Sequence, residues 1–365
     1  MFFRKSTDGT QVSIPLENQF AGPAATPCWI IGGGPSLSQL AIADIVNSPC
    51  PRFAVNLAGA GLVRPQFWTS YDPTNRFHRS VYLDPSITKF VHAGRAMDLV
   101  PETTYKVCEC PSLYFIDREQ QNGFQQFPGQ GTAPITDWQD SLIQAIDIAY
   151  RLGFRQLYLA GCDMRIRPSQ TLRRAAAKLG VESIAGEPLG HFLRRCERSG
   201  MSREQITSHA LGKQYHFEES KSLTAAVQTD LHYYRVVQYL RLARRSLGLA
   251  GLQISSVTPG SRLNDHFPSL SVTEACRQIA KTIGDPARES TLGLYTGKRD
   301  RRPRKLGAMT DLRPHFWNEK EEAASKPGMQ IQRRDEVGPR KIARPRLRQA
   351  LEDAIEINVD LNEQG

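Results

Sequence analysis

No run of about 18 apolar residues, the length a membrane-crossing helix needs, occurs in the 365-residue chain, so no membrane span is expected. The first residues lack the order and length of a secretion signal. The seven cysteines are odd in number and carry no second Cys/His pair at zinc-site spacing beside Cys108 and Cys110, which speaks against a disulfide framework and a cysteine-bound metal and for reduced thiols in a cytoplasmic setting. Internal repeats are absent. No Gly-Lys-Ser/Thr follows the glycine-rich turn described below, which excludes a Walker P-loop, and a Leu at position 37 breaks the spacing of the dinucleotide fingerprint.

The net charge of +10 is unevenly placed. Residues 298–348 hold 16 Lys and Arg against 7 Asp and Glu, a surplus of +9, whereas residues 349–365 carry −5 and the body, residues 1–297, only +6. The tail from 290 to 365 is poor in apolar residues and rich in Pro, Arg and Lys, the composition of a disordered segment, with one short helical stretch near 345–355. Its basic clusters either track a polyanion such as nucleic acid through phosphate attraction or form a solvated extension. No aromatic ladder accompanies them, so base stacking is not indicated.

The most informative stretch is 27–38. An apolar run over 28–31 breaks into Gly32, Gly33 and Gly34, followed by Pro35 and Ser36 and an amphipathic segment over 37–46. This pattern predicts a buried strand, a glycine turn and the start of a helix. Glycines let a backbone approach a ligand closely, and the free N–H groups of a helix start suit a phosphate. Gly32, Gly33, Gly34 and Ser36 are therefore the expected phosphate contacts; a purely structural turn is the alternative.

Further strands are expected at 52–56, 67–72, 89–93, 105–108 and 113–116, and a helix over 136–152 with a capping box from Thr136 to Gln139 and a stop at Gly153. Residues 117–134, rich in Gln, Gly and Pro, read as a surface loop. A strand at 156–160 ends in a Gly-x-Asp turn at Asp163. Residues 165–222 carry charge and helix breakers and read as an inserted cap; helix then resumes over 230–247, strand over 251–257 and helix over 272–283. The expected fold class is α/β: a Rossmann-like, mostly parallel sheet flanked by helices, with the cap and a disordered basic tail. The expected organisation is an arm (1–26), a nucleotide-binding core (27–164), the cap (165–222), the end of the core (223–289) and the tail (290–365).

The order of motifs, Ile-Gly-Gly-Gly-Pro-Ser-Leu at 31–37, Ala-Val-Asn at 54–56, Phe-Trp-Thr-Ser-Tyr-Asp-Pro at 67–73, Asp-Ser-Leu at 140–142 and Leu-Ala-Gly-Cys-Asp at 159–163, resembles the group related to the 6-hydroxymethylpterin diphosphokinase MptE. That group shares a Gly-x-Gly-Pro-Ser turn with bacterial sialyltransferases. The resemblance spans roughly 27–275. It implies a Rossmann-like fold that binds a nucleotide or nucleotide sugar at the Gly-Pro-Ser turn, and either glycosyl transfer or pyrophosphate transfer from ATP to a pterin. A non-catalytic nucleotide- or polyanion-binding protein is the reading of another class.

Several residues carry the chemistry of these readings. Asn56 would bond a ribose or base, or cap a turn. Asp72 and Asp163, both expected at strand ends, would serve as catalytic carboxylates or hold Mg²⁺ beside a phosphate; Asp72 before Pro73 equally fits a turn. Ser141 would contact the ligand or support its helix. His216 would act as acid or base from the cap, or pack among its aromatic neighbours. Arg262 would grip a phosphate or join a surface ion pair, and His92 reads as a core histidine. The acceptor substrate is not readable from these residues.

Overall fold

The structure, a computed structural model, describes residues 2–20, 27–56, 58, 62–119, 124–129, 131, 133–209 and 222–284. The expected tail and His216 lie outside the described residues. The chain opens with a hairpin of β1 (Phe2–Lys5) and β2 (Gln11–Ile14), then β3 (Pro27–Ile31), α1 (Ile42–Asn47), β4 (Arg52–Val55) and β5 (Phe67–Thr69). There follow α2 (Arg79–Leu83), β6 (Thr88–His92), β7 (Leu113–Ile116), the short pair β8 (Arg118–Glu119) and β9 (Ile135–Thr136), and α3 (Ser141–Leu152). The second half holds β10 (Gln156–Ala160), α4 (Gln170–Ala177), α5 (Leu189–Arg198), α6 (Arg203–Ser208), α7 (Leu223–Leu249), β11 (Gln253–Ser256) and α8 (Val272–Ile283).

Nine strands form one sheet in the order β11-β10-β3-β4-β5-β6-β7-β1-β2. Every pairing from β11 to β7 is parallel, and only the β7–β1 and β1–β2 pairings at one edge are antiparallel. The central strands are buried along their whole length, the reason they read as unbroken apolar runs rather than alternating ones. Register places Trp29 beside Tyr158, whose hydroxyl meets Gln278 of α8. Ile30, Phe53 and Phe67 align on the other face, where Gln144 of α3 donates to Thr69 Oγ1 at 2.5 Å. Helices thus cover both faces. No helix among the described residues is long and apolar enough to cross a membrane, and all seven cysteines are free thiols.

Four local expectations are corrected. The N-terminal segment contributes sheet: Phe2 and Phe3 are buried because β1 docks on β7, with Phe2 against Phe90. Residues 105–108 make a bridge and a tight turn instead of a strand. The third helix starts at Ser141, because Asp140 accepts from the amides of Leu142 and Ile143 (2.8 and 3.0 Å) while Thr136 belongs to β9. The supposed surface loop packs inward: Phe127 is buried, and the buried pair Asp147–Arg151 (3.1 Å) holds Gly129, Thr136 and Pro134 by their backbones. Gly153 stops α3 in a left-handed conformation (φ 112°), as its sequence position predicts.

The described part of 165–222 is three short helices around a separate apolar cluster that includes Leu172, Phe192 and Ile206. At the end of the sheet opposite the strand carboxyl termini, Lys89 is fully buried. Its ammonium donates to Asp84 O at 2.6 Å, and Asp84 pairs with Arg64. Burial brings the Lys89 pKa down to about 7, and the Arg4 and Arg64 charges push the same way. Between about pH 7 and the unfolded value of 10.5 the unfolded chain holds a proton that the folded one has lost, so stability rises with pH there. Urea titrations at pH 7.0 and 8.0, a full unit below the ordinary thiol pKa of 9.0, should show a gain no steeper than ~1.4 kcal/mol per pH unit. In Lys89→Met this gain should vanish; an unchanged slope would mean that Lys89 keeps its ordinary pKa.

Candidate functional site

The sheet order reverses beside β3: the chain leaves it outward through β4 to β7, then returns on the other side as β10. In open parallel sheets, such a reversal leaves a crevice beyond the strand carboxyl ends. A cleft of about 410 Å³ lies there, within the size range of small-molecule sites, reached by Gly32–Gly34, Asn56, Asp72, Ser141, Asp163 and His232.

Its floor is two loops pressed together. Ile31 is level with Ala160 in the register, so the loops after β3 and β10 leave the sheet side by side. Gly32 N donates to Ala160 O (2.7 Å) and Gly34 N to Gly161 O (2.8 Å). A Cβ on Gly32 would stand 2.7 Å from Gly161 O, and one on Gly34 would overlap the Asp163 carboxylate. Gly161 has φ +66°, and a Cβ there would run into Gly32 O and stand 2.9 Å from Leu37 Cβ. The glycines are demanded by this mutual approach, whatever else the turn does.

Asp163 closes the junction. Its Oδ2 accepts from Ser36 Oγ (2.6 Å) and more weakly from Ser36 N (3.4 Å). Burial raises its pKa, opposed by the two bonds from Ser36. The phosphate donors expected of Gly32, Gly34 and Ser36 are therefore already bonded within the protein. The helical turn behind them, Pro35–Gln39, is also only five residues of 3₁₀ helix, too short to present a helix dipole.

Asn56 is the best-positioned polar group in the cleft. Its backbone is left-handed (φ 53°), a conformation Asn tolerates, and its side chain is held from two sides. Ser141 Oγ accepts from Tyr71 N and Ser70 Oγ from Asp72 N, both at 2.9 Å. Each hydroxyl proton is thereby left for Asn56 Oδ1, at 2.8 and 2.7 Å. The amide orientation follows: Nδ2 is the arm without a partner among the described residues, in a side chain that lines the cleft.

The remaining predicted residues divide. Asp72 lines the cleft but pairs with Arg76 at 2.5 Å, three residues beyond the end of β5 rather than on it. Asp72 and Asp163 share the cleft, yet no group of three or more His, Cys, Asp or Glu placed to hold a metal occurs among the described residues, so no step is derived through Mg²⁺. Arg262 is corrected: it is buried away from the cleft, with Nη2 3.2 Å from both Asp230 oxygens and Nη1 2.9 Å from Met164 O. His92 ends β6 and accepts from Gly94 N at 3.2 Å.

Sequence reasoning missed a histidine. His232 of α7 lines the cleft with its Nε2 3.1 Å from Asp140 Oδ2, the carboxylate whose other oxygen caps α3. If Nε2 carries the proton given to Asp140, Nδ1 is left as a base. The two residues are 92 positions apart, and nothing in the local sequence pairs them; only the N-cap signature of Asp140 was available. No family model matches the chain, and no curated protein or solved structure matches it.

The interlocked loops make a graded prediction. Gly161→Ala should cost on the order of 3 kcal/mol, combining backbone strain with overlap on Gly32. Gly200, with φ +93° but open space around it, should cost only about 1–2 kcal/mol for the same change. Equal losses in chemical denaturation would show that the two loops do not constrain each other.

Proposed function

We propose that the sheet is Rossmann-like and that the chain is a nucleotide-dependent transferase of the MptE-like, sialyltransferase-related kind, moving a glycosyl group from a nucleotide sugar held in the cleft beyond β3, β4 and β10. The observation that carries this reading is the meeting, in one cleft, of the fixed Asn56 amide and the Asp140–His232 pair. Asn56 Nδ2 is a donor for an oxygen of the base or ribose. His232, held by Asp140, supplies the proton acceptor. In the transfer, the acceptor hydroxyl oxygen bonds to the anomeric carbon while the bond from that carbon to the phosphate oxygen breaks. The phosphate keeps the electron pair, and the acceptor's proton passes to His232 Nδ1. An oriented base of this kind contributes ~10²–10⁴ in rate.

A thermal-shift screen with CMP, UMP, UDP, GDP, ATP and CMP-sugar, with and without Mg²⁺, checks the reading. A nucleotide or nucleotide sugar at 100 times its Kd should add about 2.7 kcal/mol of stability and raise Tm by several degrees. Asn56→Asp, which keeps both accepted bonds but exchanges the donor for an acceptor, should abolish the shift. His232→Ala should keep it while lowering turnover at least ~100-fold. A shift with ATP alone would replace glycosyl transfer with pyrophosphate transfer, and no shift with any of these ligands would overturn the proposal.

A further inference from the structure

A nucleotide in this cleft brings phosphates, and the turn at 32–36 has its Gly32, Gly34 and Ser36 amides bonded within the protein. Positive charge must come from elsewhere. A second cleft, about 420 Å³, lies on the far side of Asp163, between the Pro35–Gln39 turn, residues 165–170 and Pro259–Gly260. Arg165 lines both clefts, so the two meet at its side chain.

Arg165 differs from the other inward-facing arginines. Arg262 is matched by Asp230, Arg151 by Asp147 and Arg76 by Asp72. Arg165 makes no ion pair or hydrogen bond with any described residue, and its Nε is shut off from solvent without a partner. Burial lowers its pKa, and the Arg167 and Arg262 charges add to the effect; Asp265 and Asp230 oppose it electrostatically without touching it. Arg167 stands in the second cleft, anchored through Nη2 to Gly260 O at 3.0 Å. Among the described residues one carboxylate lines the second cleft, Asp163, and its Oδ2 is turned to Ser36. An anion in the second cleft therefore faces two guanidinium groups against one carboxylate among the described residues, with Arg165 unmatched.

We propose that Arg165, with Arg167 beside it, is the seat for the phosphate or pyrophosphate group of the ligand, at the junction of the two clefts. This rests on the reading of the first cleft as a nucleotide site. The guanidinium fork suits bidentate contact with a phosphate and takes the role that the glycine turn cannot fill. The nucleoside end then occupies the cleft of Asn56.

Titration calorimetry on the full chain, with inorganic pyrophosphate and separately with cytidine, uridine, guanosine and adenosine, tests this. Wild type should bind pyrophosphate, and Arg165→Gln should weaken that binding at least tenfold while leaving nucleoside affinity unchanged. Arg165→Lys, which keeps the charge but loses the fork, should fall between them. Because Arg165 bonds to no described residue, the ligand-free Tm of neither variant should fall below wild type, which secures the comparison. Arg301→Gln, the same charge change in the basic tail, should have no effect. No pyrophosphate binding, equal binding in wild type and Arg165→Gln, or an equal loss in Arg301→Gln would each overturn the seat. Nucleoside binding without pyrophosphate binding would sink the seat and leave the nucleotide reading standing. Pyrophosphate binding that depends on Arg165, with no response to any nucleoside or nucleotide, would do the reverse.

Discussion

The close approach of the loops after β3 and β10 is the constraint from which the rest of the site follows. Two parallel neighbours end at the same level, and their continuations must separate in a space too small for side chains. Gly32, Gly34 and Gly161 meet that condition because a Cβ at any of them would strike the facing loop. The Asp163 carboxylate then fills the concave side of the turn by accepting from Ser36. A buried acid is tolerable there because hydrogen bonds compensate part of its lost hydration. The arrangement fixes where the cleft opens and removes the obvious phosphate donors from it.

Polar groups around the opening are positioned by the same economy of means: backbone amides at strand ends hold hydroxyls, and the hydroxyls hold Asn56. The chain Asp72 N to Ser70, Tyr71 N to Ser141, and both hydroxyls to Asn56 ties the ends of β4 and β5 to the start of α3. Asp140, one residue earlier, caps the same helix with one oxygen and holds His232 with the other. One helix start thus orients a donor and a base. Rigid elements place both groups, as the proposed proton transfer would require.

Much of the sheet was legible in the sequence because fully buried parallel strands are unbroken apolar runs, and β3, β4, β5 and β10 are of that kind. The end of α3 at Gly153 and the bounds of α8 were legible for local reasons, a left-handed stop and the Ser271 cap. What was not legible depends on distant contacts. Phe2 and Phe3 become sheet only by docking on β7. Thr136 and Gln139 imitate a capping box, yet the pairing of Thr136 with Glu119 in β9 prevails. The glycine turn is a local signal, but its partner Asp163 comes from 127 residues away, so in the sequence its amides read as free. Asn56 and Ser141 are separate signals in the sequence, and only the fold joins them. His232 lies on a helix face that reads as ordinary amphipathic surface.

Arg165 and Arg262 show why an arginine near a strand end is ambiguous until its neighbours are known. Both follow parallel strands at the same end of the sheet, and both have the chemistry to grip a phosphate. Arg262 is enclosed by Asp230, Met164 O and Glu187 O, and Asp230 also holds the amides of Ile166 and Leu189 at 2.7 Å. The ion pair therefore joins the loop after β10, the helices of 165–209, α7 and the turn after β11. Removing either partner would leave a buried charge uncompensated, a loss of several kcal/mol, so Arg262 serves cohesion. Arg165 feels the charges of two other guanidinium groups, and no carboxylate among the described residues is in contact with it. A charge held in that state raises the energy of the ligand-free protein and lowers it when an anion arrives, which is the property a phosphate site requires.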